Sequence, residues 1–370
     1  MKAVIRIWIG LLNGIYSSFK RRPVRKKVTL ISRQSNVPSL DFQMLAQALQ
    51  QRGAETVVLA RSLKKTPAGI LSYLFHMTTQ MKHMAESQVV ILDSYCICAS
   101  VLQHRKTLKI MQIWHAAGAV KMFGKQTLDK RQGSSSQLAE ALHMHAQYDY
   151  IAAPSETTGR HFARAFGYPM ERIIRLGLPR IDYIRKIQDR ASAVQQWLPE
   201  VSNGKKNILY VPTFRRHTDT SFQDLIDHID FTRYNLLVHL HPLDQSGRPA
   251  VKDGLYYVDG YPDGPAYDFL SIADAVISDY SSFIIEASLC DIPLYLYTYD
   301  LTSYALENGL NILFDEEAIG KYQFKEADAL ANALEEPYDM DALRQFRDKY
   351  IQVKDCTENM TAFVMHLLEE

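Results

Sequence analysis

The chain predicts an α/β protein of two doubly wound domains in tandem, preceded by an amphipathic segment. Three observations carry this. Short apolar runs alternate with helical stretches in two rounds, and a polar, charged connection separates the rounds. At 370 residues with 47% hydrophobic content, the chain has room for two cored domains of roughly 100–200 residues each.

The first round consists of VTLIS (28–32), TVVLA (56–60), QVVILDS (88–94), LKIMQIW (108–114) and YDYIAAPS (148–155). Such short apolar runs fit strands of a parallel sheet covered on both faces. They predict an N-terminal Rossmann-like domain over 28–182. Residues 183–206 end in Ser-Asn-Gly-Lys-Lys and predict an inter-domain linker. The second round is NILYVPT (207–213), YNLLVHLHP (234–242), DAVISDY (274–280) and PLYLYT (293–298), giving a C-terminal Rossmann-like domain over 207–350. The tail from about residue 325 reads as helices, with a closing helix over 351–370. Two such domains with a cleft between them match the general plan of the GT-B glycosyltransferases, where ligands sit at the carboxyl ends of the strands.

The amino terminus breaks an otherwise balanced charge of +1. That balance gives no whole-protein drive toward nucleic acid. Val4, Trp8, Leu11, Leu12, Ile15 and Phe19 fall at helical spacing, and residues 20–27 (KRRPVRKK) place six cations in eight positions. Only residues 7–19 form an uncharged run, short of the roughly 20 residues that span a bilayer. Residues 1–27 are therefore read as an in-plane anchor on an anionic membrane surface, weighed against a helix that packs on its own protein. Residues 61–84, with Leu71, Leu74, Phe75 and Met81 among Arg61, Lys64, Lys65 and Lys82, fit a membrane-facing helix or an ordinary core-facing one. Cys96, Cys98, Cys290 and Cys356 show no Cys-x-x-Cys pair and suit a reducing compartment.

The chemistry-bearing residues gather where strands end. The block Asp279-Tyr280-Ser281-Ser282 follows a predicted strand and opens a predicted helix, so its amides and hydroxyls suit an anion such as a diphosphate. Glu286, one turn on, is placed to reach the hydroxyls of a nucleotide sugar; the alternative is a plain strand-to-helix turn with a serine cap. His115 leaves the sheet into the turn holding Gly118, and a histidine there can serve as a base, its unperturbed pKa being about 6.5. Arg180 lies in GLPRID (177–182), Thr213, Arg215 and Arg216 in YVPTFRR (210–216), and His241 in HLHP (239–242). Arginines and histidines so placed suit phosphate oxygens. The pairs His143/His145 and His239/His241 lack a third ligand at sensible spacing, so no metal site is predicted.

Taken in order, WHAAGAVKMFG, APSETT, GLPRID, YVPTFRR, HLHP, DFLSIADAVISDYSSFIIEA and LYTYDLTSY closely resemble the CDP-glycerol glycerophosphotransferases, the teichoic-acid primases and polymerases of Gram-positive bacteria. The resemblance spans roughly residues 28–350 and is most specific at the Asp-Tyr-Ser-Ser block and at Tyr299-Asp300. It implies a peripheral membrane enzyme of GT-B architecture, on the cytoplasmic face, that moves a polyol phosphate from a CDP carrier to a lipid-linked glycan acceptor. It also implies that His115 is the base or key polar group on the acceptor side and that His241 contacts the donor diphosphate. Ser281 and Ser282 correspond to phosphate-binding serines, with Asp279 beside them, and Pro212, Thr213 and Arg215 fall near the nucleotide. Gly118 and Arg180 are placed on the acceptor or phosphate side. Ala116 stands where the family has glycine, Glu286 where aspartate is expected, and ENGLN (307–311) where a GFY-type stretch is usual.

The expected reaction is attack of an acceptor hydroxyl on the donor phosphorus that bears glycerol, with CMP leaving. No cofactor is required, and Mg²⁺ accompanying the donor is compatible. CDP-ribitol is the alternative donor, a nucleotide-sugar transferase of GT-B type is a rival function, and a non-catalytic scaffold is a third. Room for little beyond the catalytic unit favours a primase or short-chain enzyme over a polymerase.

Overall fold

The computed structural model describes every residue except 1, 65, 132, 216–221, 242–247, 251 and 263. It divides into two compact units: Met1–Ala117, Phe123–Asp182 and Val353–Glu370 form the first, and Gly118–Met122 with Tyr183–Gln352 the second.

In the first unit, strands β1 (Arg25–Ser32), β2 (Glu55–Ala60), β3 (Ser87–Leu92), β4 (Lys109–Gln112), β5 (Tyr150–Ala153) and β6 (Ile173–Arg175) form one parallel sheet in the order β2-β1-β3-β4-β5-β6. The inner strands bury Leu30, Ile91, Met111 and Ile151 completely, as residues covered on both faces must. The helices carry local start and stop signals. Ser39 caps α2 (Leu40–Gln51) by accepting from the Phe42 amide, and Thr66 with Pro67 opens α3 (Pro67–Glu86). Gly167, at φ 74°, ends the helix Glu156–Phe166 in the left-handed region that glycine adopts freely.

The second unit repeats the plan with β7 (Lys206–Val211), β8 (Tyr234–Val238), β9 (Leu255–Tyr257), β10 (Ala275–Ser278), β11 (Leu294–Tyr297) and β12 (Gln323–Phe324), all parallel, in the order β12-β11-β10-β7-β8-β9. Here the strand order reverses between β7 and β10. In the first unit it reverses between β1 and β3. Ligands of doubly wound sheets bind just past the strand ends at such points.

Three features differ from the sequence expectation. The stretch 183–206 is structured: Ile187, Val194 and Val201 are buried, and Tyr183 and Arg190 both bond the buried Asp268, at 2.5 and 3.0 Å. The boundary expected at 27/28 falls inside β1, and Lys27 is buried against Glu86. Finally, α1 (Lys2–Phe19) presents two faces, with Leu12 and Tyr16 buried while Val4, Ile7, Leu11 and Ile15 are exposed. It lies beside α3, whose first half exposes Ile70, Leu71, Leu74 and Phe75 and whose second half buries Met77, Met81 and Met84. Among the described residues no helix is long and apolar enough to cross a membrane.

Candidate active site

The second unit builds its polar centre at the β7/β10 switch point. Past β7 the chain runs Pro212-Thr213-Phe214-Arg215, and past β10 it reaches Asp279. The buried Asp279 carboxylate accepts the Thr213 amide at 3.0 Å on each oxygen and pairs with Arg215 Nη1. Arg215 also gives Nε and Nη2 to Asp300, at 3.1 and 3.0 Å, and Nη1 to the Thr213 carbonyl at 2.6 Å. Tyr280 donates to the same Asp300 at 3.0 Å, and the Tyr280, Tyr299 and Tyr304 rings lie 5.0–5.5 Å from the guanidinium carbon. Burial works against the Arg215 charge, but Asp279 and Asp300 outweigh it and hold its pKa above the ordinary value. Four of its five N–H groups are thus committed to protein acceptors. Arg215 ties the two strand ends and the Tyr299-Asp300 turn together.

Ser281 and Ser282 sit half-buried beside this knot, and Ser281 Oγ accepts the Phe283 amide at 3.3 Å. The helix they open, Phe283–Ala287, has five residues. So short a helix carries little macrodipole, and an anion placed here would have to rely on amides and hydroxyls. Glu286 is buried and accepts from Tyr267 at 2.6 Å. His241 is exposed, its ring stacked 5.6 Å from Phe214, while burial pushes the pKa of neighbouring His239 down. Arg216 and Pro242 lie outside the described residues.

In the first unit His115 stands over the β1/β3 switch point. Trp114 holds a positive φ of 60°, a conformation costing a bulky residue about 1–3 kcal/mol. Its ring stacks on Phe123 at 4.5 Å, and its amide donates to Gln112 Oε1 at 2.9 Å. This bend brings His115 Nδ1 within 3.0 Å of the Asp93 carbonyl and 3.0 Å of Gln34 Nε2. The two contacts call for opposite tautomers: protonated, Nδ1 donates to the Asp93 carbonyl and Nε2 carries the lone pair a base requires; unprotonated, Nδ1 accepts from the Gln34 amide. The Asp93 carboxyl is buried, and burial pushes its pKa up to about 6. Ser32 and Ser94 pull it back without reaching hydrogen-bond geometry. Arg180 is nearly buried and forks onto Asp41, with Nε at 2.7 Å. That ion pair occupies much of the guanidinium expected to face phosphate.

Gly118 belongs to the second unit, not the first. A Cβ there would meet Ile285 Cδ1 and make that side-chain end shift, so Gly118 lies in close contact with the helix after the serine turn. The same short segment carries a residue that sequence reasoning passed over. Lys121 pairs antiparallel with Leu310, and the Met122 and Asn311 amides donate to Gly309 and Val120 at 3.1 and 2.8 Å. The turn after His115 and the ENGLN stretch thus form one small ladder. Burial pushes the Lys121 pKa down, with Asp279 raising it and Arg215 lowering it again. Only the lysine's position six residues past His115 signalled it. His145, by contrast, is a core residue: it meets the Tyr148 hydroxyl at 2.9 Å, and burial lowers its pKa to about 3. Among the described residues no group of three or more His, Cys, Asp or Glu is placed to hold a metal.

Two doubly wound parallel-sheet units, each gathering its polar residues at a strand-order reversal, make this an α/β protein of GT-B-like architecture. The chain belongs to the CDP-glycerol:poly(glycerophosphate) glycerophosphotransferase family, which it matches over residues 15–364. It is 31% identical over 363 residues to the teichoic acid ribitol-phosphate primase of Bacillus spizizenii, covering 92% of this chain and 91% of that protein. It is 29% identical over 301 residues to the teichoic acid glycerol-phosphate primase of Bacillus subtilis, covering 79% and 77%. Its fold resembles a solved structure of the wall teichoic acid polymerase TagF soaked with CDPG, at a TM-score of 0.72 and 17% identity, over 100% of this chain and 97% of that one.

Proposed function

We propose that the protein transfers glycerol phosphate from CDP-glycerol to a hydroxyl of a lipid-linked glycan acceptor in teichoic acid synthesis. The family match over residues 15–364 carries this reading. The acceptor oxygen attacks the phosphorus bearing glycerol, a new O–P bond forms, and the bond to the bridging oxygen breaks so that CMP leaves with its electron pair. His115 takes the acceptor proton on Nε2, and the Thr213–Arg215 and Ser281–Ser282 strand ends hold the donor. CDP-ribitol is the second reading, favoured by the broad match to a ribitol-phosphate primase. The primase relatives match over most of their own length, which supports a single or short addition.

The same proposal puts the reaction at the cytoplasmic face of a membrane. Support comes from the exposed row Val4, Ile7, Leu11 and Ile15 beside Ile70, Leu71, Leu74 and Phe75, with Arg6, Arg21 and Lys26 exposed on the same segment. Apolar insertion together with attraction to anionic lipid is the physics of an in-plane anchor.

The test is purified protein with CDP-glycerol or CDP-ribitol, a lipid-linked acceptor, and Mg²⁺ present or absent, read by product mass. A mass gain of one or a few glycerol phosphates is expected. Turnover only of a UDP- or GDP-sugar would sink the proposal. His115→Ala should lose roughly 10²–10⁴ in turnover with CDP affinity little changed.

A further inference from the structure

The donor centre has a charge problem. Asp279 and Asp300 bring two carboxylates, and Arg215 answers with one guanidinium whose N–H groups are largely spent on them. The knot alone sums to −1, which repels a diphosphate. Lys121 corrects the sum. It belongs to the same unit, and its ammonium is coupled electrostatically to both Asp279 and Arg215. Yet it makes no ion pair and no side-chain hydrogen bond among the described residues. An ammonium presents three donors, and one held in low-dielectric surroundings without an acceptor costs free energy until an anion arrives. Nearby, the Thr213 hydroxyl is buried and also has no partner among the described residues, although its amide is fixed by Asp279.

The lysine's backbone is held from both ends of its segment. Gly118 is pressed on Ile285, directly after the serine turn, while Lys121 is paired with Leu310 and its carbonyl accepts from Asn311 Nδ2 at 3.0 Å. Such a short, doubly anchored segment limits where the ammonium can swing. It therefore acts as a pre-placed donor instead of a surface lysine sampling solvent.

We infer that Lys121 is a ligand of the donor diphosphate: a cation without an ion pair among the described residues, with Arg215 the scaffold that shapes the site. The inference rests on the CDP-donor reading and adds to it the residue that meets the phosphate charge. It also assigns a use to the ENGLN stretch, which orients the lysine through Gly309, Leu310 and Asn311.

The experiment compares wild-type protein with Lys121→Met, titrated with CDP and with inorganic diphosphate by calorimetry, alongside melting temperatures without ligand. Lys121→Met should weaken both ligands by roughly 10–100-fold, the worth of a hydrogen bond to a charged group. Its melting temperature without ligand should not fall, because a desolvated ammonium without an acceptor has been removed. Lys121→Gln repeats the comparison should methionine disturb the packing. If CDP and diphosphate affinities stay within about twofold of wild type, the assignment of Lys121 is overturned while the CDP reading stands. A wild-type protein that binds diphosphate but gains nothing from the cytidine fails the CDP reading, and the diphosphate titration still decides Lys121.

Discussion

The basic run 20–27 packs six cations into eight consecutive positions, whereas the proposed donor centre draws its two, Lys121 and Arg215, from distant parts of the chain. In the first case density misleads. Arg22, Arg25 and Lys27 all reach Glu86, at 2.7, 2.6 and 3.2 Å, and Lys20 is tied to the Gln103 carbonyl. Half of the apparent patch is internal bracing that joins the α1–β1 corner to α3. In the second case sparseness misleads, because Arg215 organises three chain segments and Lys121 makes no ion pair among the described residues. Available charge depends on which cations have already found an anion, and a count along the sequence does not report that.

Arg215→Ala should have the greatest consequence. Removing one member of a buried, hydrogen-bonded pair strands Asp279 and Asp300, and a loss of about 3–5 kcal/mol in urea unfolding is expected. Any stabilisation by CDP should vanish with it. Arg215→Lys should rescue little, since a lysine lacks the fork that meets two carboxylates at once. A variant as stable as wild type would mean the knot does not organise the site.

The next effect concerns Glu86. Burial pushes its carboxyl up, but hydrogen bonds from Arg22, Lys27 and Arg25 outweigh burial and bring the pKa down to about 2. A folded pKa below the unfolded one gives stability that is present above about pH 4.5 and lost as pH falls toward 2. The shift corresponds to about 3 kcal/mol. Glu86→Gln should therefore be clearly less stable than wild type at pH 7, with the gap closing as pH falls through that window. A gap independent of pH would show that the bracing is not ionic.

The smallest effect on the fold, and the one that tests the free half of the basic segment, is to replace Val4, Ile7, Leu11 and Ile15 by serine. These positions are exposed, so stability should change by no more than about 0.5 kcal/mol per site. Co-sedimentation with anionic vesicles should fall. Further loss on replacing Arg6, Arg21 and Lys26 should come to about 1 kcal/mol each at low salt. Unchanged sedimentation would remove the anchor. Deleting residues 1–27 is not a clean alternative, because it takes away buried Leu12, Tyr16 and Lys27 and the start of β1.

The main strands were legible because a parallel sheet covered on both faces leaves uninterrupted apolar runs, as in β8, where Tyr234 to Val238 are all buried. The edge strands β6, β9 and β12 were not, being two or three residues long and only partly covered. Strand ends were overrun where the following turn is also buried, as at Ile113 past β4. The positions of His115, Thr213, Arg215 and Asp279 at strand ends were legible for the same reason as the strands. Their partners were not. Neither the Asp300 contact to Arg215 nor the Lys121–Leu310 pairing follows from local spacing, since each joins residues far apart in sequence.

The return of the chain's last stretch to the first unit sets an order of assembly. The helix Cys356–Leu367 buries Cys356, Met360, Val364 and Leu367, lies against α2, and receives a cap from Asp182, which accepts the Cys356 and Thr357 amides at 3.0 and 2.7 Å. During synthesis from the amino terminus, the first unit must wait with that apolar surface uncovered until the whole second unit has been translated. Exposed surface of that kind is what chaperones bind and what drives premature association. A nascent chain halted anywhere between residues 183 and 352 would therefore be sticky at its oldest part, and cutting the gene between the units would yield two incomplete pieces in place of two domains.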